Sequence, residues 1–484
     1  MSITASLSNA LSGLTASSRS AEVISANLAN ALTEGYGRRE IHLEPRWVGG
    51  NGTGVSVAGV TRETDSFIIA QRRLAAANLA HQDGKTSYFE RLEASFGKIG
   101  EAGSLTSVVN QFETALIEAA SRPDSTLRLD QAVGAARDIT GRLNQLTGDV
   151  QGLREQADRD IAGMVAQLND GLDRVHQINA AIRANSGSDA DVNRLLDQRQ
   201  ITLDRIAEIV PIRTIERGFG QVAIYTEGGA ILLDGQNHNL DFVSTGTITA
   251  DMTVASGALG QISLRGRIID ASSNGPLSGG ALGAAFEIRD NMAVQTQMGL
   301  DAIARDLIER FAGPGVDPTL SVGDEGLFTD TPTPFVPANE ASLAGRISVN
   351  ALVDPAQSGA SWRLRDGLGA LVPGDTGNAV QLNALIGALT VQKSPASGLL
   401  GGSTYSFGGH AGGLMSLINS DWAQVSSDHE FAAAQHDTFK QIELRNGVDS
   451  DEQMQKLLLV EQAFTANARV VQTADEMIQT LLRL

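Results

Sequence analysis

The 484-residue chain contains no cysteine, which excludes disulfides, thiolate metal sites and cysteine nucleophiles together and is compatible with either redox compartment. Aromatic residues make up only 4% and prolines number 12, so the apolar content comes mainly from Ala, Leu, Ile and Val. That mixture suits long helices with small residues at their contacts. Basic residues are in deficit, 37 Lys and Arg against 56 Asp and Glu, for a formal net charge of -19. Such a balance repels phosphate backbones and anionic lipid, so neither nucleic acid nor a membrane surface is expected as a partner. No run of about 18 apolar residues occurs, and no membrane insertion is expected. The first thirty residues lack a basic leader, and their Leu and Ile are interrupted by Ser, Asn and Thr, so no cleavable secretory signal is expected.

What the chain does have is periodicity, strongest at its two ends. Leu7, Leu14, Ala21 and Leu28 recur every seven residues, with Ala10, Ser17, Ile24 and Ala31 between them and Leu11 widening the stripe. Leu457, Phe464, Val471 and Ile478 alternate with Val460, Asn467, Ala474 and Leu481 in the same rhythm. Each set makes one helical seam. Ser450, with Gln453 three residues on and Asn446-Gly447 before it, reads as a capping box that opens the C-terminal helix. Neither stripe can bury itself alone, so the two terminal helices are expected to pair. Ser and Asn within the stripes make that pair weak in isolation.

Between the ends, Asp65 is expected to cap a helix bearing Phe67, Leu74, Tyr88, Leu92 and Phe96, and a second amphipathic stretch carries Leu105, Val108, Phe112 and Leu116. From Leu129 to Ile182, apolar residues step by three and four without a break, a rod on the order of 80 Å if it is one helix. Glycines at 134, 141, 148, 152, 163 and 171 lie off that seam, each weakening the helix by about 1 kcal/mol relative to Ala. The Asn185–Ser188 turn returns the chain through a helix with Leu195, Leu203 and Ile206. From Pro211, short β-branched segments punctuated by Gly read as strands: Ile212–Ile215, Gln221–Tyr225, Ala230–Leu233, Thr247–Val254 and Ile262–Ile269. Helical spacing resumes over 280–311, a turn-rich stretch runs from 313 to 409, and a last long helix carries Trp422, Val425, Phe439 and Ile442.

The expected fold is therefore mainly α with a β-containing insert: a long-helix bundle plus coiled-coil pairing of the N- and C-terminal helices, in discontinuous domains. Residues 1–36 and 448–484 form the paired terminal unit, and 37–210, 281–312 and 410–447 the long-helix bundle. Residues 211–280 form a β-rich insert and 313–409 a turn-rich outer insert.

At the residue level the chain resembles a known family. Ser12-Gly13-Leu14, then Asn27-Leu28-Ala29-Asn30 and Thr33-Glu34-Gly35-Tyr36-Gly37-Arg38, is similar to the N-terminal signature of flagellar rod, hook and hook-associated proteins. Glu34 stands for the usual Pro and Gly37 for the usual Ser or Thr. Gly52-Thr53-Gly54-Val55-Ser56-Val57 with Arg62, Asp65 and Phe67, then Leu195-Leu196-Asp197-Gln198-Arg199, resembles the hook-associated FlgK family, with Gln200 in place of its Asp. The segments 447–452, 462–468 and 472–477 resemble that family's C-terminal helix.

The resemblance implies a structural subunit of the bacterial flagellum, outside the cell at the hook–filament junction, exported without a cleavable signal peptide. Its implied partners are further copies of itself, the hook protein, the second junction protein FlgL and an export chaperone of the FlgN type. The implied assembly interface is Leu7, Leu11, Leu14, Ile24 and Leu28 with Leu457, Val460, Phe464, Val471, Ile478 and Leu481, and the motif turn is Asn27, Asn30, Gly35, Tyr36 and Arg38. The alternatives are another axial flagellar protein, either the hook protein or the second junction protein, or an extracellular wall hydrolase on a helical scaffold.

The residues give no catalytic, cofactor or metal site. No histidine pair has HExxH spacing, and His429 and His436 fit bundle packing better than a metal. The glycine run at 49–54 lacks a following Gly-Lys-Ser/Thr and reads as a hairpin or loop. The 35–39 turn, basic at Arg38 and Arg39, reads as a protein-contact turn. The hydrolase alternative rests on Asp317, Asp324, Glu325, Asp330, Glu340 and Asp354, none singled out by spacing.

Overall fold

The computed structural model describes residues 3–48, 51–98, 100–185, 189–271, 274–331 and 334–483. Helix α1 (Ile3–Ala29) leads into an antiparallel hairpin, β1 (Arg38–Val48) and β2 (Asn51–Glu63). Residues 38–48 and 51–63 are thus a β ribbon where the sequence placed the start of the helical bundle. The bundle opens with α2 (Ser66–Phe96), as expected from Asp65, whose Oδ1 accepts from the backbone N–H of Phe67 and of Ile68, each at 3.1 Å.

Helix α3 (Leu105–Ser121) is capped by Ser104, and α4 (Thr126–Ala184) is a single 59-residue rod. Every expected seam position of α4 from Leu129 to Ile182 is buried except Leu153, which is partly so. Five of its six glycines have open space where a Cβ would be; at Gly171 a Cβ would press on Ile206. The glycines therefore cost helix propensity on the outer face, and the packed seam offsets it. The turn expected at Ser186–Ser188 lies outside the described residues.

Helix α5 (Asp189–Ile209) returns along α4 and feeds the antiparallel sheet β3 (Ile212–Glu216), β4 (Val222–Thr226), β5 (Ile231–Asp234) and β6 (Gln236–Asn237). A second sheet of two-residue strands holds β7 (Leu240–Asp241), β8 (Ser263–Leu264) and β9 (Arg267–Ile268). The strand expected at Thr247–Val254 does not form. Instead the carbonyls of Thr249 and Met252 accept from the guanidinium of Arg154 on α4, at 3.0 and 2.5 Å, so a side chain takes what a neighbouring strand would have used.

Helices α6 (Gly280–Glu287) and α7 (Ala293–Arg310) are joined by a π-helical turn, 288–292. The stretch 313–409 holds the strand pair β10 (Phe328–Asp330) and β11 (Ile347–Val349), short α8 (Arg363–Asp366) and α9 (Val380–Thr390). It is not an outer appendage: Leu320, Phe328, Leu343, Ile347, Leu364 and Leu382 are buried in one core with α2, α3, α4, α7 and α10 (Phe407–Asn446). Phe112, Phe311 and Phe328 meet there with ring centroids 5.2 to 6.0 Å apart, so scarce aromatics are concentrated where the insert docks. A separate core joins the second half of α4 to α5, the β3–β6 sheet and α6. Last comes α11 (Ser450–Arg483). Its cap is Asp449, whose Oδ1 accepts from the N–H groups of Asp451 and Glu452 at 2.9 and 3.1 Å. The expected Ser450–Gln453 box is displaced because the Gln453 amide is engaged with α1.

Candidate functional site: the terminal helix pair and its joint to the body

Helices α1 and α11 pack on each other, and α11 makes no comparable contact with any other element among the described residues. Gly13 faces Asn467, and Asn27 bonds Gln453, so the pair is antiparallel. A Cβ at Gly13 would come within 2.6 Å of the Asn467 amide, and the helices approach closely because there is none.

The contact stripe on α1 is Ala10, Gly13, Ser17, Ser20, Ile24 and Asn27, where one set of the expected heptads is shifted by one residue. Small residues take the contact and the leucines flank it. Ile24 is buried and Leu7 and Leu14 are half-buried, while Leu11 (61%) and Leu28 (37%) are exposed. On α11, Leu457, Val460 and Val471 are half-buried, whereas Phe464, Ile478 and Leu481 are exposed. Leu14 and Phe464 line one open cleft together with Val57 of β2.

The Ser12-Gly13-Leu14 element does three jobs at once. Ser12 Oγ accepts from the N–H of Val55 at 3.1 Å and tethers the hairpin to α1. Gly54, at φ +103, packs its backbone on Ser12 where a Cβ would collide. Gly13 admits Asn467, and Leu14 borders the cleft.

Asn27, 1% exposed, ties three elements with one amide. Its Oδ1 accepts from Tyr36 Oη at 2.9 Å and the Arg39 N–H at 2.8 Å, and its Nδ2 donates to the Arg39 carbonyl at 2.9 Å and to Gln453 Oε1 at 3.1 Å. Burial raises the Tyr36 phenol, against the pull of Arg39, so it remains a hydrogen-bond donor. Asn30 turns back to the Ala26 carbonyl and accepts from Thr33. Gly35, at φ +71, lies against Ile201, where a Cβ would sit 2.5 Å away.

Asp197 of α5 is the hub of the joint. Its carboxylate accepts from the Gly37 N–H at 3.1 Å, Arg39 Nη2 at 2.5 Å and Arg62 Nε at 2.7 Å. A side chain at residue 37 would collide with Arg62, which explains the glycine where Ser or Thr is usual. Gln200 then works in both directions, accepting from Arg62 and donating to Glu443 at 3.0 Å. An Asp there would set a second carboxylate toward Glu443. Arg72 bonds Glu443 and pairs with Asp204 at 2.6 Å, and Arg73 pairs with Asp204 at 2.6 Å. Burial works against the charge on Arg72, but Asp204 and Glu443 outweigh it and raise its pKa. Burial and the nearby Arg62 bring Arg199 down to about 10; it spans the Asn179 amide and the Gly220 carbonyl. A continuous polar chain thus runs from α1 and α11 through the hairpin to α5, α2 and α10.

Comparisons with known proteins match these same parts. The model described as "Flagella basal body rod protein" covers 7–36, and the flagellar basal body rod FlgEFG C-terminal model covers 445–484. The model of the flagellar hook-associated protein FlgK helical domain covers 89–313. The chain is thus similar to flagellar rod and hook-associated proteins at both ends and through its long-helix block. It is similar to flagellar hook-associated protein 1 of Bacillus subtilis, 23% identical over 94% of this chain and 93% of that protein. Against the protein of the same name from Salmonella typhimurium it is 26% identical over 72% of this chain, and it spans 63% of that relative's length, just under two thirds. The solved flagellar hook junction protein FlgK of Burkholderia pseudomallei aligns with 54% of this chain and 46% of its own length, with a TM-score of 0.45 and 17% identity.

The similarity to hook-associated proteins supports a structural component of the flagellum, and five of the six acidic candidates in 313–409 have structural partners, Glu325 being solvent-exposed. Asp317 caps its own turn and takes the Leu368 N–H, Asp330 pairs with Arg346, Glu340 with Arg305, and Asp354 caps 355–357. Asp324 accepts from the Ser321 N–H. His429 bonds Asp83 on α2. Among the described residues no group of three or more His, Asp or Glu side chains is placed to hold a metal ion. Arg38 reaches Glu452 at 3.8 Å and Arg39 is paired with Asp197, so the 35–39 turn is neutralised within the chain. Sequence reasoning missed Arg39, Arg62, Gln200, Glu443 and Gln453 as joint residues. The family motifs contained Arg62 and Asp197, but no spacing relates positions 135 residues apart.

Proposed function

We propose that this chain joins hook to filament, assembling in many copies with helical symmetry, α1 and α11 lining the inner channel and the bundle outside them. The carrying observation is that among the described residues α11 packs chiefly on α1, yet bears large exposed side chains on its remaining faces, among them Leu458 (55%), Leu459 (65%) and Leu482 (81%). Leu11, Leu28 and Leu32 on and after α1 are likewise exposed. A helix pair so apolar outside its own contact is half of an interface. Burying each such side chain against a neighbour contributes about 1.5–3 kcal/mol. Head-to-tail contacts between non-equivalent faces propagate a tube instead of closing a dimer. The hook protein on one side, the second junction protein FlgL on the other and a FlgN-type chaperone before export complete the reading, with export independent of a cleavable signal.

The test replaces Leu28 or Leu459 with Asp, which desolvates a carboxylate in the assembled tube at a cost of several kcal/mol while leaving the α1–α11 stripe intact. Each variant should be a soluble subunit with far-UV circular dichroism like the parent, and cells should carry bare hooks and lose flagellin to the medium. Normal filaments on such cells would defeat the proposal.

A further inference from the structure

The two larger hydrophobic cores are separated by a buried ionic layer that crosses the long rod. Apolar burial along α4 runs from Leu129 through Val150 and Ala157 into one core, and resumes at Ile161 in the other. Between them Arg154 and Asp158, both 0% exposed, face Arg289, 1% exposed, in the π-helical turn. In that turn the Ala293 N–H bonds the Ile288 carbonyl, one residue further back than in an α-helix, and the Arg289 carbonyl accepts from Arg154 Nε at 2.9 Å. Arg289 Nη1 meets Asp158 at 2.6 Å, its other nitrogens hold Asp290 at 2.7 and 3.0 Å, and its guanidinium lies over the rings of Phe242 and Phe286.

The same layer fastens the irregular loop 245–252. Asp158 Oδ2 accepts from the Thr245 N–H at 2.6 Å, Glu155 from the Ile248 N–H at 3.1 Å, and Arg154 donates to the Thr249 and Met252 carbonyls.

We infer that this layer divides the rod into two separately opening segments, with the loop 245–252 as the latch that holds the distal one closed. The reason is the difference between ionic and apolar contacts. When packed methyl groups part, water gains nothing from them; when buried ions part, hydration offsets much of the lost attraction, so the layer is the plane along which opening costs least. The device goes beyond a role in assembly, since it resides within one subunit.

The experiment is native-state hydrogen exchange of the full chain at rising urea. Amides of 161–175 and of β4 should open together, at least about tenfold more often than those of 129–150. Asp158→Asn, which removes the charge facing Arg289 Nη1 and leaves a single acceptor oxygen for that group and the Thr245 N–H, should speed exchange in the distal segment by a further tenfold or more, roughly, and leave 129–150 nearly unchanged. If that variant fails to fold, Arg154→Met, which releases the latch carbonyls of Thr249 and Met252 together with the Arg289 carbonyl, carries the same expectation. The triple change Arg154→Met, Asp158→Leu, Arg289→Met should fuse the segments into one opening step. A single step in the parent protein, equal acceleration of both segments, or two steps surviving in the triple variant would each overturn the inference.

Discussion

Replacing Asp197 with Asn tests whether the joint holds the terminal pair to the body. The substitution keeps the shape, removes one charge and turns one oxygen into a donor that faces N–H groups. It leaves the guanidiniums of Arg39 and Arg62, with side chains 13% and 10% exposed, close together without their anion. It also weakens the bond from the Gly37 N–H. Breaking a buried pair by removing one partner costs 3–5 kcal/mol, and the residual solvent access here brings the expectation to roughly 3 kcal/mol. That loss falls on the unit the hub secures, because the hydrogen-bond partners of the Asp197 carboxylate, Gly37, Arg39 and Arg62, all lie in the motif turn and hairpin. Hydrogen exchange of the full chain should therefore show amides of 38–63 and 450–457 losing about a hundredfold of their protection, while 129–150 keep theirs. Thermal unfolding of the body, followed at 222 nm, should move little. Unchanged protection of the hairpin would refute the hub, and equal loss throughout would show that the joint and the body are one cooperative unit.

Gly37→Ser, the family's usual kind of residue at this position, should displace Arg62 and destabilise the hairpin unless Arg62 is also shortened to Lys; the double variant recovering no protection would count against the steric argument. Asp301, 4% exposed, accepts from Gln297 and from the N–H groups of Ser342 and Ala344, yet burial pushes its carboxyl up to about 6. Because the folded pKa exceeds the unfolded value near 3.9, its contribution is full below about pH 4 and is lost as pH rises through about 6, roughly 3 kcal/mol in all. Asp301→Asn should flatten that part of the stability profile measured by urea denaturation, and an unaltered slope would place the titration elsewhere. A FlgN-type chaperone that grips Leu457, Phe464 and Val471 has to part α11 from α1, since two of the three are half-buried there. Deleting residues 1–30 should then tighten chaperone binding several-fold in a calorimetric titration, whereas equal affinity would move the site to the exposed Leu458–Leu459 face.

The sequence alone determined what periodicity and local capping can encode. The unbroken three-and-four stepping of α4 gave a rod whose seam the packing buries, and Asp65 marked the start of α2 because a cap needs only neighbours three residues away. The terminal motifs, together with those at 52–67 and 195–199, also carried the resemblance to hook-associated proteins. Long-range choices were decided only by the tertiary structure. Gln453 looked like a capping residue until Asn27 was brought beside it from 426 residues away, and Asp449 took the cap instead. The α1 stripe runs through Gly13, Ser20 and Asn27 and not through the neighbouring leucines, because close helix approach selects small side chains once a partner is present. Thr247–Val254 carries strand-forming residues, but Arg154 reached its carbonyls first. Polar side chains act through a partner's position, and that position is a property of the folded chain; apolar periodicity acts through the residue's own place on its helix, and that is already written in the order of residues.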